Sequence, residues 1–339
     1  MTVERAGRPD FEAAGPVGPA RRPWRNLLSF LIGVGMLILA IWVLRRWASH
    51  VSLADLRSEL EAIEPGRIVL AILFSLASFV ALFGYEYYAC RFIGRPISWF
   101  RAGIISFITQ SITHAVGFAV LVGATVRYKL YSAYGFGLFE VAKIQVFFVA
   151  TFGLGCLTLA GGTLLIEPYV LARAVGVSEV WWRLLGAGLL GVVLAVLVWG
   201  AWFHRLLRVG RQVWVLPSAR VTSIQIALGV TDLAFVAAAL HVLLPGELGL
   251  DYFETLGVFV AAITLGLISH VPGSLGVFEG AALVLIDPAP EATAAVIGAL
   301  IMFRACYYML PLAMGAVLFA TIEAHRWLSA GRPVGEGRS

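Results

Sequence analysis

The chain has 339 residues, of which 60% are hydrophobic and 13% charged, and a formal net charge of +5. Soluble domains carry about 25% charged residues, so this composition excludes a water-exposed globular surface and describes an integral membrane protein. The positive balance is almost wholly arginine, with Lys129 and Lys143 as the lysines, and the arginines flank apolar runs instead of forming a nucleic-acid-binding patch.

Residues 1–26, rich in Gly, Pro, Ala and Arg, read as a disordered cytoplasmic tail. The first apolar run, 27–44, follows Arg21, Arg22 and Arg25. It has no A-x-A cleavage site and is read as a retained span. A span needs about 20 apolar residues, and 68–90, 139–163, 184–203, 223–244 and 293–321 supply them. Two further stretches, 102–121 and 253–286, are interrupted by polar residues or helix breakers. The glycines Gly186, Gly188 and Gly191 match G-x-G-x-x-G inside an apolar run. With no strand before them and no acid about 20 residues on, they read as a close-packing helix face, not a nucleotide loop. Cys90, Cys156 and Cys306 lie apart in apolar segments, which indicates neither a disulfide framework nor a zinc site.

Charge assigns the sides. Arg91, Arg95 and Arg101 place the 91–101 loop in the cytoplasm, as do Arg205, Arg208, Arg211 and Arg220 for 204–222 and Arg326, Arg332 and Arg338 for the C-terminal tail. The acidic loops 245–252 and 287–293 face out. Arg127 and Lys129 hold 122–137 inside, so 102–121 must enter and leave on the cytoplasmic side, breaking within Thr109–Gly117. By the same logic 253–286 dips in from outside and turns at "SHVPGSLG", where Pro272, Gly273 and Gly276 interrupt the helix. The expected fold is an all-α integral membrane protein of about six full spans plus two re-entrant helical hairpins entering from opposite faces. The polytopic domain covers 27–325 and the cytoplasmic C-terminal tail 326–339, with both termini in the cytoplasm. Such hairpins are tolerated at membrane depth only where they are buried in protein or line a wet cavity.

Ionisable residues inside or at the edge of the membrane are costly and need a reason. They include His114, Arg127, Lys129, Glu140, Lys143, Asp232, His270, Glu279 and Arg304. Glu140 and Lys143 are i,i+3 neighbours that would pair or snorkel. Asp232 and Arg304 lie near the middle of spans. Either they pair with each other, or Glu279 partners Arg304, or they line a hydrated cavity. Glu279 opens a short helix whose N-terminus faces the bilayer interior, so a carboxylate and free N–H groups would share one cavity. His114 and His270 are assigned to the two hairpin turns. Two histidines make no metal site without a third ligand, and no P-loop or hydrolase motif implies a cofactor or a catalytic centre.

The blocks "FGYEYYACRFIGR" (83–95), "VRYKLYSAYGFGLFEVAKI" (126–144), "LIEP" (165–168), "SHVPGSLGVFE" (269–279) and "RACYYMLPL" (304–312) occur in order. Together they resemble the transmembrane region of the lysylphosphatidylglycerol synthase/flippase family, the multiple peptide resistance factors, from about residue 27 to 325. That resemblance implies translocation of aminoacylated phosphatidylglycerol from the inner to the outer leaflet of the bacterial cytoplasmic membrane. It lowers surface negative charge and gives resistance to cationic antimicrobial peptides. The family's cytosolic aminoacyltransferase domain does not follow here, so the expectation is a non-enzymatic flippase region or a fragment of a bifunctional protein. A separate synthase then becomes a partner beside the phospholipid itself, and a homo-oligomer is compatible. The family's Ser-Asn is Thr113-His114 in this chain, and its G-G-S is Gly123-Ala124-Thr125, departures that bear on headgroup specificity. For a lipid with a phosphate and an ammonium, Arg127, Lys129 and Arg304 would meet the first, Glu279 and Asp232 the second, with His114 and His270 in the same cavity. The alternative cargo is another lipid, glycolipid or hopanoid-linked.

Overall fold

The computed structural model describes residues 61, 63–116, 119–202, 206–209, 212–269 and 271–330. The tail 1–26, the apolar run 27–44, His270 and the residues after 330 lie outside them. Eleven α-helices are described: α1 (Pro65–Phe92), α2 (Trp99–Val116), α3 (Ala119–Ser132), α4 (Leu138–Ile166), α5 (Tyr169–Val175), α6 (Glu179–Trp202), α7 (Ala219–His241), α8 (Tyr252–Ser269), α9 (Val277–Ile286), α10 (Pro290–Arg304) and α11 (Leu310–Ala330). A five-residue π-helical turn, Ala305–Met309, joins α10 to α11. A two-stranded antiparallel ribbon, β1 (Leu206–Val209) with β2 (Gln212–Val215), lies between α6 and α7.

Among the described residues, six helical stretches are long and apolar enough to cross a membrane: Pro65–Phe92, Leu138–Ile166, Glu179–Trp202, Ala219–His241, Tyr252–Ser269 and Ala292–Arg326. The sixth is α10, the π-turn and α11 together. Helix starts follow local chemistry. Pro65 occupies the first turn of α1. Ser218 Oγ accepts from the Val221 N–H to open α7, and Glu140 reaches back to the Gly137 N–H to open α4. Two arginines close helix ends. Arg67, in the first turn of α1, donates to the carbonyls of Val242 and Leu244 after α7. Arg173 donates to the Ile286 carbonyl at the end of α9, at 3.0 Å.

The centre is α1, α4 and α7, packed on one another, with α2 on α1, α6 on α4, and α8 on α7, α9 and α4. Small residues set the closest crossings. A Cβ at Gly155 would stand 2.6 Å from Gly229 Cα, and one at Gly229 would stand 2.5 Å from the Thr151 carbonyl oxygen. The backbones of α4 and α7 therefore touch, the arrangement small residues permit between membrane helices. Of the three α6 glycines, Gly186 is buried against Gly161, whereas Gly188 and Gly191 are exposed with nothing within 4 Å. Of the three, only Gly186 belongs to the packing face, which it shares with Val193 and Gly200. The rest of α6 turns Trp181, Leu184, Val192, Leu194 and Trp199 outward, an apolar surface suited to lipid.

The first break is expected within Thr109–Gly117. Thr109 to Val116 is helical, so His114 belongs to α2 and not to a turn; α3 begins at Ala119, and 117–118 lie outside the described residues. No Gly or Pro occurs between Thr109 and Val116 to end the helix sooner. The second break falls where expected. A 3-10 turn spans Pro272–Ser274, and Gly273, Ser274 and Gly276 have φ of 61°, 53° and 76°. Glycine is what makes two of these left-handed positions inexpensive. Helix α9 returns along α8 after this turn.

Candidate functional site

The sequence-derived residues fall into separate interior clusters, each centred on a charged group. On α3, Arg127 is fully buried and forks onto Glu86 of α1. Its Nε donates to Oε1 and Oε2 at 3.1 and 3.0 Å, and its Nη2 donates to Oε2 at 2.9 Å. Nη1 donates to Gln145 Oε1 of α4 at 2.5 Å, Nη2 to Gln110 Oε1 of α2 at 3.3 Å, and the guanidinium lies 4.4 Å from the Phe148 ring centroid. Gly123, one turn earlier, keeps this region open: a Cβ there would be 3.2 Å from Arg127 Nη1 and 3.4 Å from Thr113 Oγ1. Both charges and most donors are thus satisfied, which is what a desolvated ion pair requires.

Glu86 is absent from the sequence-derived set although the rule that selected Asp232 applies to it. It is an acid inside the run 68–90, and its place near the end of that run, among Tyr85, Tyr87 and Tyr88, makes it look interfacial. Its burial to 0% places it inside the protein, paired with Arg127.

At the other break, Arg304 is 2% exposed, and its Nε lies 2.5 Å from Glu279 Oε1. Arg304 Nη1 and Nη2 donate to the carbonyls of Gly273 and Ser274, at 2.6 and 3.2 Å. Its guanidinium lies 4.5 Å from the Tyr308 ring centroid and 5.2 Å from that of Phe278. Between the two candidate partners of Arg304, the structure selects Glu279. Glu279 Oε2 also accepts from the Gly276 N–H at 2.8 Å, closing the start of α9. The carboxylate therefore has a structural benefit that the sequence does not show.

Lys129 pairs with Glu323 of α11 at 3.0 Å and lies 5.1 Å from the Phe319 ring centroid. Nearby, a groove of about 380 Å³ runs between α2, α3 and α11, with Arg101, His325 and Arg326 beside Ile105, Leu130 and Ile322. Glu140 pairs with Arg95 at 3.2 Å, not with Lys143 as the i,i+3 spacing suggests, because the 91–101 loop folds back over the start of α4. Asp232 stands apart from every arginine pair, accepting from Ser78 Oγ at 2.5 Å and Tyr85 Oη at 3.1 Å. His114 stacks on Tyr307 of the π-turn, with ring centroids 5.5 Å apart. Pro272, Gly273 and Gly276 form the turn under Arg304, and His270 beside them is outside the described residues.

The fold and these clusters define a multi-pass helical membrane protein with paired charges in its interior. No family model matches the chain. It is similar to an uncharacterized protein of Synechocystis sp., slr0712, at 27% identity over 294 residues, covering 86% of this chain and 90% of the relative. Inner membrane protein YbhN of Escherichia coli K12 is 25% identical over 308 residues, covering 90% of this chain and 94% of the relative. A phosphatidylglycerol lysyltransferase of Staphylococcus aureus is 23% identical over 297 residues, 86% of this chain but only 34% of that protein.

Proposed function

We propose that the chain translocates aminoacylated phosphatidylglycerol from the inner to the outer leaflet of the bacterial inner membrane, lowering surface negative charge and conferring resistance to cationic antimicrobial peptides. The observation that carries this reading is two arginine–glutamate contacts, the buried Arg127–Glu86 and the half-buried Arg304–Glu279, the second beside the turn before α9. A headgroup with a phosphate and an ammonium can exchange into such a pair. Its phosphate replaces glutamate on the arginine while its ammonium takes the released carboxylate, so no charge is stranded at any stage. Lys129 and the neighbouring groove of Arg101 and Arg326 are the inner-leaflet approach, and the apolar wall of Ile105, Leu130 and Ile322 takes an acyl chain. His114 borders the same interior, stacked on Tyr307. The similarity to a phosphatidylglycerol lysyltransferase supports the lipid class, and a separate synthase is then the partner that supplies the cargo. A homo-oligomer is compatible with the exposed face of α6.

The test is leaflet-resolved. Cells expressing an aminoacyl-phosphatidylglycerol synthase, with and without this chain, are treated with an impermeant amine reagent. The outer-leaflet fraction of aminoacyl-phosphatidylglycerol is expected to rise when the chain is present, at equal total lipid. An unchanged fraction overturns the proposal. A second reading, translocation of a glycolipid or hopanoid-linked lipid, is favoured by the fuller coverage of YbhN and slr0712, whose names state no lipid. The same assay with those lipids labelled separates the two.

The two hairpins are proposed to enter from opposite faces. Positions Ser98 and Ala133, on either side of α2 and α3, are then both cytoplasmic. In a cysteine-free background, cysteines at both are expected to resist an impermeant external thiol reagent and to react after permeabilisation. Labelling of either from outside removes the first hairpin.

A further inference from the structure

Asp232 lies inside α7, 2% exposed, and among the described residues it has no cationic partner. Among the described residues, the elements packed around it offer neutral groups: Ser78 and Tyr85 from α1, Cys156 from α4 and Tyr307 from the π-turn. Glu86 and Arg304, on neighbouring elements, are taken up by Arg127 and Glu279. A carboxylate in the membrane interior needs either a positive charge beside it or a proton on it. Its surroundings suit the second. Two hydroxyls are too few oxygens for a metal cation. The Ser78 hydroxyl, 2.5 Å from Oδ1, accepts a hydrogen bond as readily as it donates one, so the contact survives protonation.

A second observation extends this site. His114 Nδ1 and the hydroxyls of Thr109 and Thr113, all on α2, are enclosed without a hydrogen-bond partner. Enclosed polar atoms of this kind mark positions that water completes. The His114 ring stacks on Tyr307, and Tyr307 faces Asp232. A polar seam therefore leads from Asp232 past Tyr307 and His114 to Thr113, beside the Arg127 network.

We infer that Asp232 is a proton-binding site in the membrane interior, and that its loading and unloading couples lipid translocation to the proton gradient. A proton arriving from water along the seam adds to Oδ1 and later leaves toward the opposite face, and no other bond changes. The coupling half of this inference rests on the translocator reading, whereas the proton site does not.

The two halves are tested separately. Infrared difference spectra of the purified full chain, recorded on shifting pH, are expected to contain a carboxylic-acid carbonyl band. Asp232→Asn removes that band and Asp232→Glu moves it. Identical spectra in wild type and Asp232→Asn, or a band that answers to Na+ at constant pH, overturn the site. For the coupling, the chain is reconstituted with aminoacyl-phosphatidylglycerol bearing a fluorescent acyl chain, and a gradient of about one pH unit is imposed. One proton per lipid is expected to drive up to about tenfold asymmetry, lost in Asp232→Asn. A distribution indifferent to the gradient overturns the coupling. Absence of any lipid movement overturns the translocator reading instead, and the infrared result still decides Asp232.

Discussion

Replacing Arg127 with alanine is expected to destabilise the protein by about 3–5 kcal/mol, because it leaves Glu86 as an uncompensated charge in a dry interior. Glu86→Ala should cost a similar amount by stranding Arg127, which also loses its bidentate contact. The double variant Glu86→Gln/Arg127→Gln removes both charges and keeps amides that can bond Gln110 and Gln145. It should be markedly more stable than either alanine variant alone, and that non-additivity identifies a pair. The measurement is the unfolding midpoint of detergent-purified protein, with expression level as the cellular readout. Strictly additive losses would mean that Glu86 and Arg127 act through other partners.

The α4–α7 crossing should be nearly as sensitive. At Gly229 even a methyl group would stand 2.5 Å from the Thr151 carbonyl oxygen and 2.8 Å from Gly155 Cα, and backbone cannot swing aside as a side-chain tip can. Gly229→Ala is expected to cost about 1–3 kcal/mol by overpacking, and Gly229→Leu to abolish the folded state. The contrast lies on α6, where Gly188 and Gly191 have open space: leucine at either should leave the thermal midpoint unchanged or raise it. Tolerance of Gly229→Leu would show that α4 and α7 do not touch there.

Apolar length made the spans legible. The runs 68–90, 139–163, 184–203 and 223–244 appear as Pro65–Phe92, Leu138–Ile166, Glu179–Trp202 and Ala219–His241. The chemistry of "SHVPGSLG" made the second break legible too, since glycine and proline act locally. What stayed hidden is three-dimensional. Arg304 had two candidate acids in sequence, and only the fold of the turn brings Glu279 to it. The spacing of Glu140 and Lys143 suggested a neighbour pair, but Arg95 reaches Glu140 from a distant loop. Glu86 was hidden by its position, since tyrosines around an acid near the end of an apolar run read as a membrane boundary.

The shortness of α9 has an electrical consequence. Its ten residues measure about 15 Å, roughly half the hydrocarbon thickness. Under the proposed topology, which puts Ile286 at the outer boundary, the Glu279–Arg304 pair sits near the middle of the membrane voltage drop. A full crossing by one elementary charge is worth about 2.3 kcal/mol per 100 mV, so the step between the inner face and this pair carries about half of that. An alanyl headgroup, with one phosphate and one ammonium, is neutral and crosses at no electrical cost. A lysyl headgroup carries one further positive charge, and its outward passage runs against an interior-negative potential. Under the proposed translocation, energising the membrane slows the more cationic lipid and leaves the neutral one untouched, making voltage itself a selector between cargoes.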